Sequence, residues 1–186
     1  MSVGSLISNT YLLYFSQPAS DRFLFKAVKG KPIRSVVEIG VGDGLRTERL
    51  LEVLAWQPDN LPLRYTAIDL FEARPKSQAG MTLKQAFSKI RREGVKVQLV
   101  PGDAYSALLR TANQLTETDL LVISADQDAA ALEHALIYLP RMLHPQSLIY
   151  QEYPDAKSKG MLYRQLTLAD IQRQAAAANK NLRRAA

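Results

Sequence analysis

The residues best suited to chemistry gather in one run, Val36-Val37-Glu38-Ile39-Gly40-Val41-Gly42-Asp43-Gly44. An apolar stretch carries an acid near its end, and three glycines at alternate positions then lead into a helix expected from Leu45. Gly40, Gly42 and Gly44 let the backbone turn sharply and let a flat or charged ligand come close to the main chain. The N-terminus of the following helix presents unpaired N–H groups and a partial positive charge, which suits a carboxylate or a phosphate. Glu38 stands where it can accept bonds from a ligand ammonium group. The competing reading is a tight strand-to-helix turn with no ligand, for which one glycine is enough.

Two nucleotide-type patterns can be compared with this run. The dinucleotide fingerprint is G-x-G-x-x-G; counted from Gly40, its third glycine falls on Leu45 and is absent. The observed Glu-x-Gly-x-Gly-x-Gly spacing resembles motif I of the class I S-adenosylmethionine (SAM) methyltransferases. The resemblance implies a Rossmann-like α/β fold, SAM as cofactor and methyl transfer as the reaction. It extends from about Ser35 to Tyr153.

Ligands of open parallel sheets bind beyond the carboxyl ends of the strands, where the strand order reverses, and further acids fall at such ends. Asp69 closes Tyr65-Thr66-Ala67-Ile68-Asp69-Leu70. The resemblance makes it the acceptor of both ribose hydroxyls, with Leu70 packed on the adenine face; alternatively it caps the next turn. Asp103, in Val100-Pro101-Gly102-Asp103-Ala104, resembles the family's adenine-binding acid, with the Ala104 N–H donating to the ring. Its rival role is N-cap of the helix from Ala104. Arg46 is a candidate partner for the methionine carboxylate, with a solvated surface arginine as the alternative.

Methyl transfer is an in-line displacement, so the protein mainly aligns the acceptor and in some cases removes its proton. In the family the acceptor lies near the end of strand four, here Ser124-Ala125-Asp126-Gln127-Asp128. Asp126 is the candidate catalytic residue, as a base or an orienting group. The segment faintly resembles metal-dependent catechol-type O-methyltransferases, with Glu152 as a second ligand, but their following Asp-Asn pair is missing. Asp126 and Asp128 otherwise read as acids at a helix start. The Asn/Asp-Pro-Pro-aromatic motif of amide and adenine methyltransferases is absent. His134 sits among Leu132, Leu136 and Ile137 and reads as a packed histidine. Tyr11, Tyr14 and Phe15 are candidates for a lid over the cofactor or for core packing.

The elements that must position these groups follow from periodicity. The spacing predicts a helix over Asp21–Val28 with Ser20 as N-cap, strand one at Ser35–Gly40 and a helix over Leu45–Trp56. Pro58-Asp59-Asn60 breaks the chain. Strand two is Leu63–Leu70, a helix covers Thr82–Arg92, and strand three, Val95–Val100, alternates as an edge strand does. Ala104–Asn113 is helical, strand four is Asp119–Ser124, a helix covers Asp128–Leu143, and strand five is Ser147–Tyr153. Alternation with short connections calls for one doubly wound, mostly parallel sheet. Only Pro154–Ala186 remains after strand five, which predicts a shortened antiparallel end: Met161–Leu166 beside strand five, then Thr167 capping a helix over Leu168–Asn179.

The 186 residues suit a single domain, with residues 1–30 an N-terminal helical segment and 35–153 the core. The chain has no cysteine and two histidines, which excludes disulfides and multi-histidine metal sites. No stretch reaches the roughly 20 apolar residues of a membrane helix, and the N-terminus lacks the pattern of a secretion signal, so a cytoplasmic protein is expected. A net charge of +6 raises nucleic acid as a partner, although charge spread over helix faces accounts for it equally. The function expected is methyl transfer from SAM to an oxygen or nitrogen of a small-molecule acceptor. RNA methylation, a non-catalytic SAM-binding regulator and a nicotinamide oxidoreductase are the alternatives. An exposed edge on the shortened sheet suggests a homodimer.

Overall fold

A computed structural model describes residues 10–55, 62–75, 77–78 and 80–185, with the side chains of 184 and 185 left out. The expected break at Pro58-Asp59-Asn60 and the end of the second helix at Trp56 lie outside the described residues.

The elements run α1 (Asp21–Val28), β1 (Ser35–Ile39), α2 (Leu45–Leu54), β2 (Leu63–Asp69), α3 (Leu83–Ile90), β3 (Val95–Pro101), α4 (Ala104–Thr111), β4 (Thr118–Ile123), α5 (Ala129–Ala135), β5 (Leu143–Pro154), β6 (Met161–Leu166) and α6 (Leu168–Ala185). The strands form one sheet in the order β3-β2-β1-β4-β5-β6. The first four pairings are parallel and β6 runs antiparallel to β5. The fold is therefore the expected doubly wound, mostly parallel α/β sheet, with an antiparallel β5–β6 end. Its strand order reverses between β1 and β4, so a crevice opens at their carboxyl ends.

Alternation along the strands divides the core in two. Val36, Tyr65, Leu120, Val122 and Tyr150 pack under α1, α2 and α3 with Leu24, Phe25, Leu50, Leu51 and Ile90. Val37, Ile39, Ile68, Leu121, Ile123 and Ile149 pack under α4, α5 and α6 with Ala107, Leu108, Ala135 and Ile171. β1 is buried on both faces throughout, whereas β3 alternates between half-buried and exposed until Val100, as its place at the sheet edge requires.

Several expectations are corrected. The helix expected over Asp128–Leu143 ends at Ala135, and a short 3-10 turn follows at Leu139–Arg141. Pro140 lacks an N–H for the carbonyl four residues back and its ring crowds that carbonyl. β5 starts at Leu143, earlier than expected, by pairing with Thr118 across a register shift. Ser20 itself has helical backbone angles and makes no cap bond, and among the described residues its buried hydroxyl has no hydrogen-bond partner. Thr167 does cap α6: its hydroxyl accepts from the Asp170 N–H at 3.1 Å, and Asp170 accepts from the Thr167 N–H at 2.8 Å. α6 then runs on to Ala185. Among the described residues no helix is long and apolar enough to cross a membrane.

Candidate active site

The glycine loop is fixed by the ladder on either side of it. The Gly40 N–H donates to the Ile68 carbonyl at 2.8 Å, and the Ser124 N–H donates to Ile39 at 2.8 Å. Gly40 and Gly42 both take left-handed backbone angles, with φ of 87° and 60°, which cost other residues strain. The two differ in their surroundings. A Cβ on Gly42 would meet open space, while one on Gly40 would run into Gln127, Ser124 and Asp126. Gly44 is left-handed too and is the residue before α2, with Met81 against it.

Asp69 ends β2 directly beneath this loop. Its Oδ2 accepts from the Val41 N–H at 2.7 Å and the Gly42 N–H at 3.0 Å. Its Oδ1 accepts from the Phe71 N–H at 3.3 Å. Arg74 pairs with both oxygens at 2.7 Å and reaches across the crevice to Asp126, also at 2.7 Å. The Arg74 side chain thus fills the space between the acid expected for ribose and the acid expected for catalysis. Leu70 leads into a 3-10 turn at Phe71–Ala73, in which Phe71 is buried.

Asp103 N-caps α4. Its Oδ1 accepts from the Ser106 N–H at 2.9 Å and its Oδ2 from the Ser106 hydroxyl at 2.8 Å. Burial works against the carboxylate, but these bonds outweigh it and hold its pKa below the usual value. Ala104, the first residue of α4, is buried. Asp126 is opposed by burial as well, yet its bonds from Arg74 and Gln127 keep it lowered. A carboxylate so held is a weak proton acceptor.

Glu38 is placed differently from expectation. Its side chain is fully enclosed, where a ligand ammonium group has no approach. Its oxygens accept from Arg46 Nε at 2.7 Å, the Thr47 hydroxyl at 2.7 Å and the Tyr65 hydroxyl at 2.5 Å. A buried carboxylate needs such partners, and here β2 and the first turn of α2 supply them. Burial and the adjacent Glu38 together drive the Tyr65 hydroxyl well above its ordinary pKa.

Arg46, read from sequence as a surface cation or a ligand-carboxylate partner, is the hub of this network. Besides Glu38, it donates to the Gly40 carbonyl at 2.6 Å, the Tyr163 hydroxyl at 3.2 Å and Glu152 at 3.3 Å. Glu152 also accepts from the Ser124 hydroxyl at 3.0 Å and the Ala125 N–H at 3.1 Å. Asp126 and Glu152, considered as a metal pair, each have protein partners of their own. Among the described residues no group of three or more potential ligands is arranged to hold a metal ion. His134 packs edge-on to Tyr105 with ring centres 5.4 Å apart. Tyr11, Tyr14 and Phe15 are exposed.

A cavity of about 250 Å³ lies beside the hub, its lining drawn from the glycine loop at Val41, Gly42 and Asp43 and from Pro18, Asp21, Leu45, Arg46, Ser124 and Glu152. Asp21 was legible only as an acid in the first turn of α1. Its fully folded neighbour is Tyr163 of β6, whose hydroxyl donates to it at 3.1 Å, a partnership across the whole chain that periodicity cannot reveal. Burial raises the Asp21 pKa to about 6, against the lowering by Arg46.

No protein-family model and no curated protein matches the sequence. Solved structures do match. A TehB-like SAM-dependent methyltransferase from Corynebacterium glutamicum aligns over 94% of this chain and 80% of its own, at 13% identity and a TM-score of 0.50. A precorrin-6y C5,15-methyltransferase from Geobacter metallireducens aligns over 87% and 68%, at 15% identity and a TM-score of 0.48. Human N-acetylserotonin methyltransferase, solved in complex with SAM, aligns over 91% of this chain at 16% identity and a TM-score of 0.48, and this chain spans 50% of its length. The Corynebacterium alignment spans nearly the whole chain, and with the sheet order described above it shows that this protein has the Rossmann-like fold of the SAM-dependent methyltransferases.

Proposed function

We propose that this chain is a SAM-dependent methyltransferase acting on an oxygen or nitrogen of a small-molecule acceptor. One observation carries the reading. A left-handed glycine loop with open space above Gly42 sits at the point of strand reversal, with Asp69 bonded beneath it. Gly40, Gly42 and Gly44 would give the close main-chain approach, Asp69 the ribose acceptor, Leu70 an apolar face, and Asp103 with Ala104 the adenine edge. SAM bound there would supply a methyl group on a positively charged sulfur. The donor set fits an adenosyl amino acid once Arg74 leaves Asp69, and the loop bearing Arg74 is exposed enough to allow it: Glu72 and Ala73 beside it face solvent. Arg46 and Glu152 would order the polar end of the crevice and exclude water from it.

Arg74 also favours a second reading, a protein in which this side chain keeps the adenosine site closed. Calorimetric titration with S-adenosylhomocysteine separates the two. Micromolar binding that Gly42→Val and Asp69→Ala each weaken by at least about tenfold, the worth of one good polar contact, supports the enzyme; no binding by the wild-type chain rejects it. RNA as acceptor predicts binding that falls steeply with salt, and a small acceptor does not. Self-association through the β6 edge is read on a sizing column.

A further inference from the structure

The catalytic role expected of Asp126 fits the geometry poorly. Asp126 is half-open to solvent and held by Arg74 and Gln127. The cavity beside the glycine loop offers a different acid. Asp21 is 2% exposed, lines that cavity together with Gly42, and belongs to no ion pair among the described residues. Among the described residues its carboxylate accepts one hydrogen bond, from the Tyr163 hydroxyl. Resting on the methyltransferase reading above, we propose that Asp21 takes the proton of the methyl acceptor, a small molecule that presents a hydroxyl or an amine to Asp21 in the part of this cavity that a cofactor on the glycine loop leaves open.

The charges that face Asp21 define the acceptor. Arg46 from α2 is the cation of the cluster, and Glu38 from β1, Glu152 from β5 and the Tyr163 hydroxyl from β6 complete the surroundings. Arg46 is already shared between Glu38 and Glu152. The cavity wall therefore carries more carboxylate than cation, which repels an acceptor bearing a phosphate or carboxylate next to the methylated atom and welcomes hydrogen-bond donors. The step balances. The acceptor's lone pair forms the bond to the methyl carbon, the carbon–sulfur pair stays on sulfur, and the acceptor's proton goes to the Asp21 carboxylate. A buried acid whose pKa stands at about 6 is ionised at neutral pH and basic enough for this transfer.

The test compares two ligands by calorimetry at pH 7.5. S-adenosylhomocysteine reports the cofactor cradle; sinefungin, which carries a primary amine where the methyl group sits, reports the charge facing it. The wild-type chain should prefer sinefungin by about tenfold, the effect of one nearby carboxylate in a partly screened cavity. Asp21→Asn should erase that preference and leave S-adenosylhomocysteine affinity within about threefold. A preference that survives in Asp21→Asn overturns the proposal while leaving the methyltransferase reading intact; a wild-type chain that binds neither ligand removes both. A second readout does not depend on that variant folding. Carboxyl ¹³C titration should place Asp21 near pH 6, and Tyr163→Phe, which removes a hydrogen bond to the ionised form, should move it higher. A titration in the usual aspartate range, or one unmoved by Tyr163→Phe, overturns the assignment.

Discussion

Glu38 shows how one enclosed side chain can set the shape of a loop through its partners. It is enclosed by Arg46, Thr47 and Tyr65, and through Arg46 it fixes the Gly40 carbonyl, the first carbonyl of the glycine loop. The network holds the loop's shape from behind. Burial opposes the charge on Arg46, yet Glu38, Tyr163 and Glu152 keep that guanidinium protonated well beyond its ordinary range. Removing the acid leaves a buried cation short of its main partner, which is costly. Glu38→Ala should lower stability by about 3–5 kcal/mol, read by urea denaturation, and the loss should exceed that of Asp126→Ala, whose carboxylate is 40% exposed. Equal losses for the two variants would show that the Glu38 network does not anchor the loop.

The elements were more legible than the site. α1, β6 and the β1–α2 junction stand at the expected residues because an amphipathic period, an alternating run and a glycine cluster are local signals. β3 was readable as an edge strand from Lys96 and Gln98 alternating with Val95, Val97 and Leu99. The α5 boundary was not, because Pro140 outweighed a favourable run of alanine and leucine ahead of it. Asp69 and Asp103 were legible as acids at strand ends, because residue type marks such a position, and that is where the structure places them. Pairings were hidden where the partner lies far along the chain, as for Asp21 with Tyr163 and Arg74 with Asp126. α3 carries a further local signal, Thr82-x-x-Gln85. Gln85 N–H donates to the Thr82 hydroxyl at 3.1 Å and the Gln85 side chain accepts from the Thr82 N–H at 2.9 Å, a complete capping box. Thr82→Ala should cost about 1 kcal/mol and lower the melting temperature by a few degrees, with S-adenosylhomocysteine affinity unchanged if the cap is purely structural.

Across the whole molecule, one polar network joins α1, β1, α2, β5 and β6. Asp21 meets Tyr163, Tyr163 meets Arg46, and Arg46 meets both Glu38 and Glu152. It ties α1 and the antiparallel end of the sheet to the glycine loop, with Tyr163 of β6 as the link between Asp21 and Arg46. This closure has a cost that depends on pH. The Asp21 carboxyl moves from an ordinary 3.8 to about 6 in the fold, so the folded chain favours its protonated form. A raised acid contributes its full share below the unfolded value, and that share is lost as the pH climbs from about 4 through about 6. Above that window the ionised carboxylate is a burden that a neutral isostere does not carry. Asp21→Asn should therefore be more stable than wild type at pH 8, by up to about 3 kcal/mol, and the gap should shrink to about a third of that at pH 4.5. Urea denaturation at the two pH values measures it. A gap that is absent at pH 8, or that widens on acidification, would mean that Asp21 is not held in the fold as an unpaired, desolvated acid, and the stability sacrificed to keep a proton acceptor beside the glycine loop would have to lie elsewhere.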